Sequence, residues 1–148
     1  MAFFHVSGPA HTEPFQKTAS VAIAANSVLS FDGTAGFVRQ AVAASVRLAG
    51  INIKPIASTD GDYASNTTIP VLVPGDEDIF EVDVQSGQTA VQGDVGKQYD
   101  LSTNTDGTAQ TVNRTGTTNK VVTVVGFISA SKLLVKINGN YAYANKAN

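Results

Sequence analysis

The stretch Ile79-Phe80-Glu81-Val82-Asp83-Val84 decides the fold class of this chain. Its apolar and acidic residues alternate one by one. Successive side chains of a β-strand point to opposite faces of the sheet, so the three apolar residues from Phe80 to Val84 share one face and the two acidic residues share the other. This alternation is typical of a strand with one face in a hydrophobic core and one face in water. We therefore expect antiparallel β-structure around it.

Short runs of similar character flank this strand on both sides, separated by glycine, proline, asparagine and aspartate turn residues. The runs predicted as strands are 20–24, 28–31, 37–39, 46–48, 50–54, 69–73, 97–101, 121–128 and 133–137. About seven to ten short strands at this spacing predict an all-β fold, either an antiparallel β-barrel or a β-sandwich. The last two runs predict a terminal hairpin.

Three of these runs carry more specific predictions. Ile51 and Ile53 are expected to share one face of a strand, with Asn52 and Lys54 on the other face. Residues 121–128 are almost continuously apolar, which predicts a central strand buried on both faces. Residues 37–49 fit either a short helix or strands, and their β-branched residues and flanking glycines favour strands.

The first 18 residues differ from the rest of the chain. Gly8, Pro9 and Pro14 interrupt them, and no periodicity is sustained. We expect residues 1–18 to form an extended N-terminal arm and residues 19–148 to form a single β domain.

Aromatic residues near the two ends of the chain are candidate contacts with a partner. The five candidates are Phe3, Phe4, Phe15, Tyr141 and Tyr143. Three phenylalanines exposed on an arm are a poor arrangement for a free monomer, so we expect them to dock on another protein. The two tyrosines share a face beyond the last predicted strand, where they either close the end of the domain or contact a partner.

Composition excludes several classes of protein. A chain of 148 residues suits one domain with a substantial core. Only 15% of the residues are charged, the net charge is -2 and no basic run is present, so direct nucleic-acid binding is not expected. Cysteine is absent, which removes disulfides and thiolate chemistry. No signal peptide or membrane span is predicted, so the expected site of synthesis is the cytoplasm and no membrane partner is expected.

The residue types that carry chemistry do not form a recognisable catalytic pattern. His5 and His11 lie in the arm, where they are expected to be solvated. The acidic cluster at residues 76–78 lacks the order of a calcium loop and is expected to be a solvated turn, with Ca²⁺ or a basic partner as the alternatives. Glu81 and Asp83 lie on a solvent face, the ordinary place for charges. We predict no catalytic, cofactor or metal site, and a protein that is not an enzyme.

Several runs resemble the small structural proteins of tailed-bacteriophage virions, in particular capsid decoration (cement) proteins. The similar runs are 50–56, 69–82, 94–101 and a closing hairpin of 124–128 and 133–138. Together they cover roughly residues 46–138.

The resemblance implies a function that composition alone does not give. It implies a small, non-enzymatic β virion protein that binds the outside of a phage capsid and bridges its subunits. The implied partners are the major capsid protein and further copies of the chain itself, with a trimer as the expected oligomer. The implied location is the virion, after synthesis in the host cytoplasm. Two alternatives stay open: a tail, neck or head-fibre component, and a carbohydrate- or receptor-binding module that uses the loop at residues 102–118.

Overall fold

A computed structural model describes residues 3–18, 21–31, 37–41, 48–61, 67–102 and 110–138. These residues form eleven strands and a single turn of 3-10 helix at Gln92–Asp94. The strands are β1 (Phe4–Ser7), β2 (Thr12–Phe15), β3 (Val28–Phe31), β4 (Val38–Gln40), β5 (Leu48–Asn52), β6 (Ile69–Leu72), β7 (Ile79–Asp83), β8 (Gln98–Ser102), β9 (Thr111–Asn113), β10 (Val122–Ser129) and β11 (Lys132–Ile137). The predicted all-β class is confirmed. The strands outnumber the seven to ten expected because β1 and β2 lie in the segment predicted to be an arm.

The strands form two antiparallel sheets that resemble a β-sandwich. The six-stranded sheet has the order β1-β7-β11-β10-β8-β9, and the five-stranded sheet has the order β2-β6-β5-β3-β4. One hydrophobic cluster contains residues of both sheets, such as Ile51 and Leu72 on one side and Phe80 and Val135 on the other. Neither sheet closes into a barrel, so the sandwich is the observed member of the two predicted architectures.

A second hydrophobic cluster covers the other face of the five-stranded sheet. It contains Leu29, Ala49 and Val71, with Phe15 and Phe31 packed against it. Strands β3 and β5 contribute to both clusters, because Val28 and Leu29 belong to different ones. Strands β3 and β5 of the five-stranded sheet are therefore buried on both faces.

Strand β7 has the predicted register. Phe80 and Val82 are buried, while Glu81 and Asp83 lie on the outer face of the six-stranded sheet. Both carboxylates reach the ammonium of Lys132 on β11, at 3.4 Å and 3.1 Å. The alternation in the sequence thus indicated both the strand and its buried face.

The predicted alternation after Gly50 is wrong. Strand β5 ends at Asn52, whose side chain is fully buried, whereas Ile53 is 46% exposed. The Asn52 amide explains the reversal: its Oδ1 accepts the Ser27 N–H at 2.9 Å and its Nδ2 donates to the Lys54 carbonyl at 2.8 Å. A buried polar side chain is tolerated when its hydrogen bonds are made inside the protein.

The prediction that residues 121–128 are buried on both faces is also wrong. Strand β10 does lie inside its sheet, between β11 and β8, and Val124 is buried. Val125, Phe127 and Ile128 nevertheless remain 37% to 43% exposed. Register shifts beside Val125 and Ile128 insert extra residues into this strand, which breaks the simple inside–outside alternation.

The described parts of two other predicted segments give mixed outcomes. Val21 to Ala24 do not form a strand, and Ile23 makes only a single bridge to Ile56. Within 37–49, the described residues contain β4 and the start of β5 and no helix, while 42–47 lie outside the described residues. The predicted terminal hairpin is confirmed as β10 and β11.

The N-terminal segment is not a free arm. We call residues 3–18 the N-terminal strap, because β1 pairs with β7 in one sheet and β2 pairs with β6 in the other. Beyond β2, the Thr18 N–H donates to the Val38 carbonyl and the Val38 N–H donates to the Gln16 carbonyl, at 2.9 Å and 3.0 Å. The chain is extended as expected, but its backbone hydrogen bonds are made with this same domain. Pro14 is compatible with this arrangement because β2 is an edge strand in its sheet.

Candidate interaction surfaces

The predicted contact residues of the strap have different environments. Phe3 is 1% exposed and packs edge-to-face against Phe80, with ring centroids 6.3 Å apart. The expectation that Phe3 is exposed is therefore wrong, because its ring fills a position in the shared core. Phe4 lies on the outer face of β1 opposite Glu81 and is 44% exposed, so it stays available for a partner.

Of the three remaining candidates, the structure describes only Phe15. Phe15 is half-buried and stacks edge-to-face on Phe31 at 5.7 Å, which gives it a packing role in the second cluster. Tyr141 and Tyr143 lie outside the described residues.

A surface that the sequence did not suggest lies beside β10. We call it the β10 patch; its exposed apolar residues are Val91, Val95, Val125, Phe127 and Ile128. The loop at residues 90–96 runs along β10, because the Ala90 N–H donates to the Ala130 carbonyl at 2.7 Å and the Gly96 N–H donates to the Val124 carbonyl at 2.8 Å. These bonds hold the loop alongside the part of β10 that carries its exposed residues.

A buried ionic cluster fixes this loop from beneath. Asp94 lies between the two exposed valines and is fully buried. Its carboxylate accepts hydrogen bonds from Nε and Nη2 of Arg114 at 2.7 Å and 2.8 Å, from the Tyr99 hydroxyl at 2.7 Å and from the Val91 N–H at 2.9 Å. The loop, β8 and the segment after β9 are thereby joined at one carboxylate.

The cluster shifts the pKa values of both of its acids. Burial alone would raise the pKa of Asp94, but the hydrogen bonds from Arg114, Tyr99 and Val91 outweigh burial and lower it to about 2. Burial and the hydrogen bond to Asp94 raise the pKa of Tyr99 to about 12. The carboxylate is therefore charged and fully hydrogen-bonded at neutral pH, which suits a structural support for the β10 patch.

The acidic turn at residues 76–78 is only partly solvated. Asp76 and Glu77 are exposed as expected, but Asp78 is fully buried, so that part of the prediction is wrong. Asp78 accepts the N–H groups of Gly75 at 2.8 Å and Ala10 at 3.1 Å. These bonds fasten the strap at the point where it crosses from one sheet to the other.

His5 completes the contacts of Asp78. Its Nε2 lies 2.9 Å from Oδ1 of Asp78, and its ring meets Phe80 edge-to-face at 5.5 Å. Burial would raise the pKa of Asp78, but the bonds from Gly75, His5 and Ala10 lower it. The expectation of a solvated His5 is wrong because this ring packs inward. His11 is solvated as expected, since its side chain is 68% exposed.

An open groove of about 470 Å³ lies beside the β8–β9 hairpin. Lys97, Thr117 and Lys120 are among its lining residues. The neighbouring turn is ordered by Asp100, whose carboxylate accepts the N–H groups of Asn119 and Lys120 at 2.7 Å each. The groove borders the described end of the loop at 102–118, of which 103–109 lie outside the described residues.

The described residues contain no group of three or more histidine, aspartate or glutamate side chains placed to hold a metal ion. In the same part of the chain, no helix has the length and apolar character needed to cross a membrane.

Comparison with known proteins gives no relative for this chain. No protein-family model matches it, and neither the curated proteins nor the solved structures contain a match.

Proposed function

We propose that this protein is a non-enzymatic virion component that binds the outside of a tailed-phage capsid and stabilises the shell by bridging capsid subunits. Its partner on the shell would be the major capsid protein, and it would reach the capsid after synthesis in the host cytoplasm. The β10 patch is the observation that carries this proposal beyond the resemblance. Apolar residues that cluster on the surface of a small protein mark sites of protein–protein contact.

The support beneath the patch favours a preformed docking surface. The loop that carries Val91 and Val95 is held to β10 by backbone hydrogen bonds, and its own Asp94 joins it to Arg114 and Tyr99. A surface already held in one conformation loses little entropy on binding, so more of its contact energy appears as affinity. Many copies that bridge neighbouring subunits would then hold the shell together even when each contact is modest.

The proposal is tested by adding the purified protein to expanded, empty heads of a tailed phage that lack it. The variant Phe127→Asp places a charge in the β10 patch. The matched control is Ile53→Asp, because Ile53 is also an exposed apolar residue and lies after β5 of the other sheet. We expect the unmodified protein and the control to coat the heads and raise their resistance to heat or low ionic strength, and we expect Phe127→Asp to do neither.

Other outcomes of this experiment would replace the proposal. A tail, neck or head-fibre component would be favoured if the heads were equally stable with and without the protein, and if electron cryomicroscopy placed the protein at one vertex or on the tail. The groove beside the β8–β9 hairpin favours the second alternative, a carbohydrate- or receptor-binding module. Binding to a glycan array that is lost in Lys97→Ala, with no binding to heads, would support that function.

A further inference from the structure

A polar row crosses the outer face of the six-stranded sheet and begins at a lysine. Lys136 on β11 lies opposite Thr123 on β10, and Thr123 lies opposite Gln98 on β8. The neighbours of these residues along each strand are mostly buried, so all three side chains lie on the outer face. The row is ordered, because the Gln98 amide donates to the Thr123 hydroxyl at 3.2 Å.

Two further lysines lie beside this row, in the groove next to the β8–β9 hairpin. Lys97 directly precedes Gln98, and both residues line the groove together with Thr117 and Lys120. Lys120 is also linked to the row, because its carbonyl accepts a hydrogen bond from the side-chain amide of Asn138. The oxygen of the same amide accepts the hydroxyl of the row's threonine.

We call Lys97, Lys120 and Lys136 the lysine cluster, and its charges are not balanced within the protein. In the described part of the chain, no carboxylate lies within ion-pair distance of any of the three ammonium groups. The acidic residue of the adjoining turn, Asp100, already accepts the three consecutive N–H groups of residues 118–120. The lysine cluster therefore offers three cations to an anion from outside, although the net charge of the chain is -2.

The backbone of Lys120 gives a reason to regard its side chain as functional. Lys120 has φ +53°, which lies in the left-handed region that glycine and asparagine adopt more easily than lysine. Bonds to its N–H group from Asp100 and to its carbonyl from Asn138 hold it in this conformation. Strained backbone of this kind clusters at binding and catalytic sites, where the surrounding structure maintains it.

The groups around the lysine cluster limit the class of ligand. Among the described residues that line the groove, none is an arginine, the residue that grips a phosphate with two parallel N–H bonds. The aromatic residue among them, Tyr99, is buried and its hydroxyl donates to Asp94, so it offers no ring on which a base could stack. Lysines are single charges on flexible stems, and here they lie beside the amide of Gln98 and the hydroxyl of Thr117. This combination suits carboxylates that are spaced along a polar chain.

We propose that the lysine cluster binds an acidic polysaccharide, with carboxylates of the sugar chain at the ammonium groups and its hydroxyls at Gln98 and Thr117. Each ion pair forms between exposed groups and is weak alone. The three contacts reinforce one another, because a polymer bound at one lysine is held close to the other two. Salt screens attraction between exposed charges, so this binding weakens as the ionic strength rises.

This site uses other residues than the proposed role on a capsid. None of the three lysines belongs to the β10 patch, so polysaccharide binding would add a ligand to a capsid protein and would equally suit a carbohydrate-binding module. Phe127→Asp should bind the polysaccharide normally, and variants of the lysine cluster should still coat phage heads. The two proposals therefore fail separately.

Isothermal titration calorimetry of the full chain with polygalacturonate, a polymer of carboxylate-bearing sugars, tests the site at low ionic strength. Neutral dextran is the control polymer, and we expect it not to bind. The double variant Lys97→Gln/Lys120→Asn should bind polygalacturonate about tenfold more weakly than the unmodified protein. Asparagine tolerates the left-handed backbone, so the thermal unfolding transition of this variant should stay unchanged.

Two single variants complete the experiment. Lys136→Gln leaves the turn at Lys120 untouched and should weaken binding about threefold. The matched control is Lys54→Gln, because Lys54 is an exposed lysine outside the cluster, and its affinity should change by less than about twofold.

Several results would overturn the proposal. They are absence of polygalacturonate binding, unchanged affinity in both the double variant and Lys136→Gln, an equal loss in Lys54→Gln, and binding that persists in about 1 M salt. Tighter binding of a single-stranded oligonucleotide of equal charge would also overturn it, and would indicate a nucleic-acid ligand instead.

Discussion

Replacing Asp94 with asparagine should reveal how much the buried ionic cluster stabilises the fold. The substitution keeps the size of the side chain and removes its charge. Arg114 now donates to both carboxylate oxygens, at 2.7 Å and 2.8 Å. Asparagine offers it a single, uncharged oxygen as an acceptor. The Tyr99 hydroxyl loses a charged acceptor in the same step.

The pKa of Asp94 gives the expected magnitude. Its value of about 2 lies below the ordinary 3.8, so the folded state favours the charged carboxylate. At about 1.4 kcal/mol per pH unit, the difference corresponds to about 2 kcal/mol at neutral pH. Because the folded pKa is depressed, this stabilisation is complete above the unfolded pKa and is lost as the pH falls through about 2. About 1 kcal/mol should remain at about pH 3 by the same relation.

Urea unfolding at neutral pH and near pH 3 measures both quantities. We expect Asp94→Asn to lower the free energy of unfolding by about 2–4 kcal/mol at neutral pH, the upper end reflecting the unpaired guanidinium. The difference in free energy of unfolding between Asp94→Asn and the unmodified protein should be about 1 kcal/mol smaller near pH 3. Asp76→Asn is the control, since Asp76 is exposed, and should stay within about 0.5 kcal/mol. A deficit under about 0.5 kcal/mol, or one that does not change with pH, would refute the reasoning.

Three further predictions concern the core and the strap. Phe80→Ala should lower the free energy of unfolding by about 3–5 kcal/mol, whereas Glu81→Ala should cost no more than about 1 kcal/mol, as measured by urea titration; equal losses would contradict the register of β7. Gly8→Ala should lower the free energy of unfolding by about 2 kcal/mol or more in the same titration, because Gly8 has φ +112° and a Cβ there would collide with Asp78. An unchanged free energy of unfolding would contradict the described path of the strap between the two sheets. Deletion of residues 1–18 should abolish cooperative thermal unfolding followed by circular dichroism, since it removes β1, β2 and the buried Phe3, and a sharp transition would show that the strap is dispensable.

The strands were predictable where burial is one-sided. Strand β7 has one face in the core and one in water, so its sequence alternates and its register could be inferred. Strand β5 contributes to both hydrophobic clusters, so burial leaves no alternation there, and the place of Asn52 depends on Ser27, which is distant in the sequence. The apolar run of β10 correctly indicated a strand. Its composition could not show which of its residues are buried, because an apolar side chain looks the same in the sequence whether it lies in the core or on the surface.

The strap and the ionic cluster were harder to infer for a related reason. The strap has no periodicity because each of its short strands pairs with a different sheet, and strand pairing by backbone hydrogen bonds demands little of the side chains. Asp94 and Arg114 are separated by 20 residues, and nothing local marks them as partners. The sequence contains one local sign that this loop is ordered, which is the pair of valines on either side of Gln92–Asp94 in a mostly polar segment.

The two strands of the strap end the two sheets in different ways. Both strands complete a sheet, and Asp78 fastens the chain between them by accepting the Ala10 N–H. Pro14 cannot donate to a further strand, so growth of the five-stranded sheet at β2 is blocked by covalent structure. Strand β1 is only four residues long, and its pairing with β7 shifts register at Val6. A short length and a bulge both hinder the addition of a further strand, so the strap ends each sheet without a proline or a charge at β1.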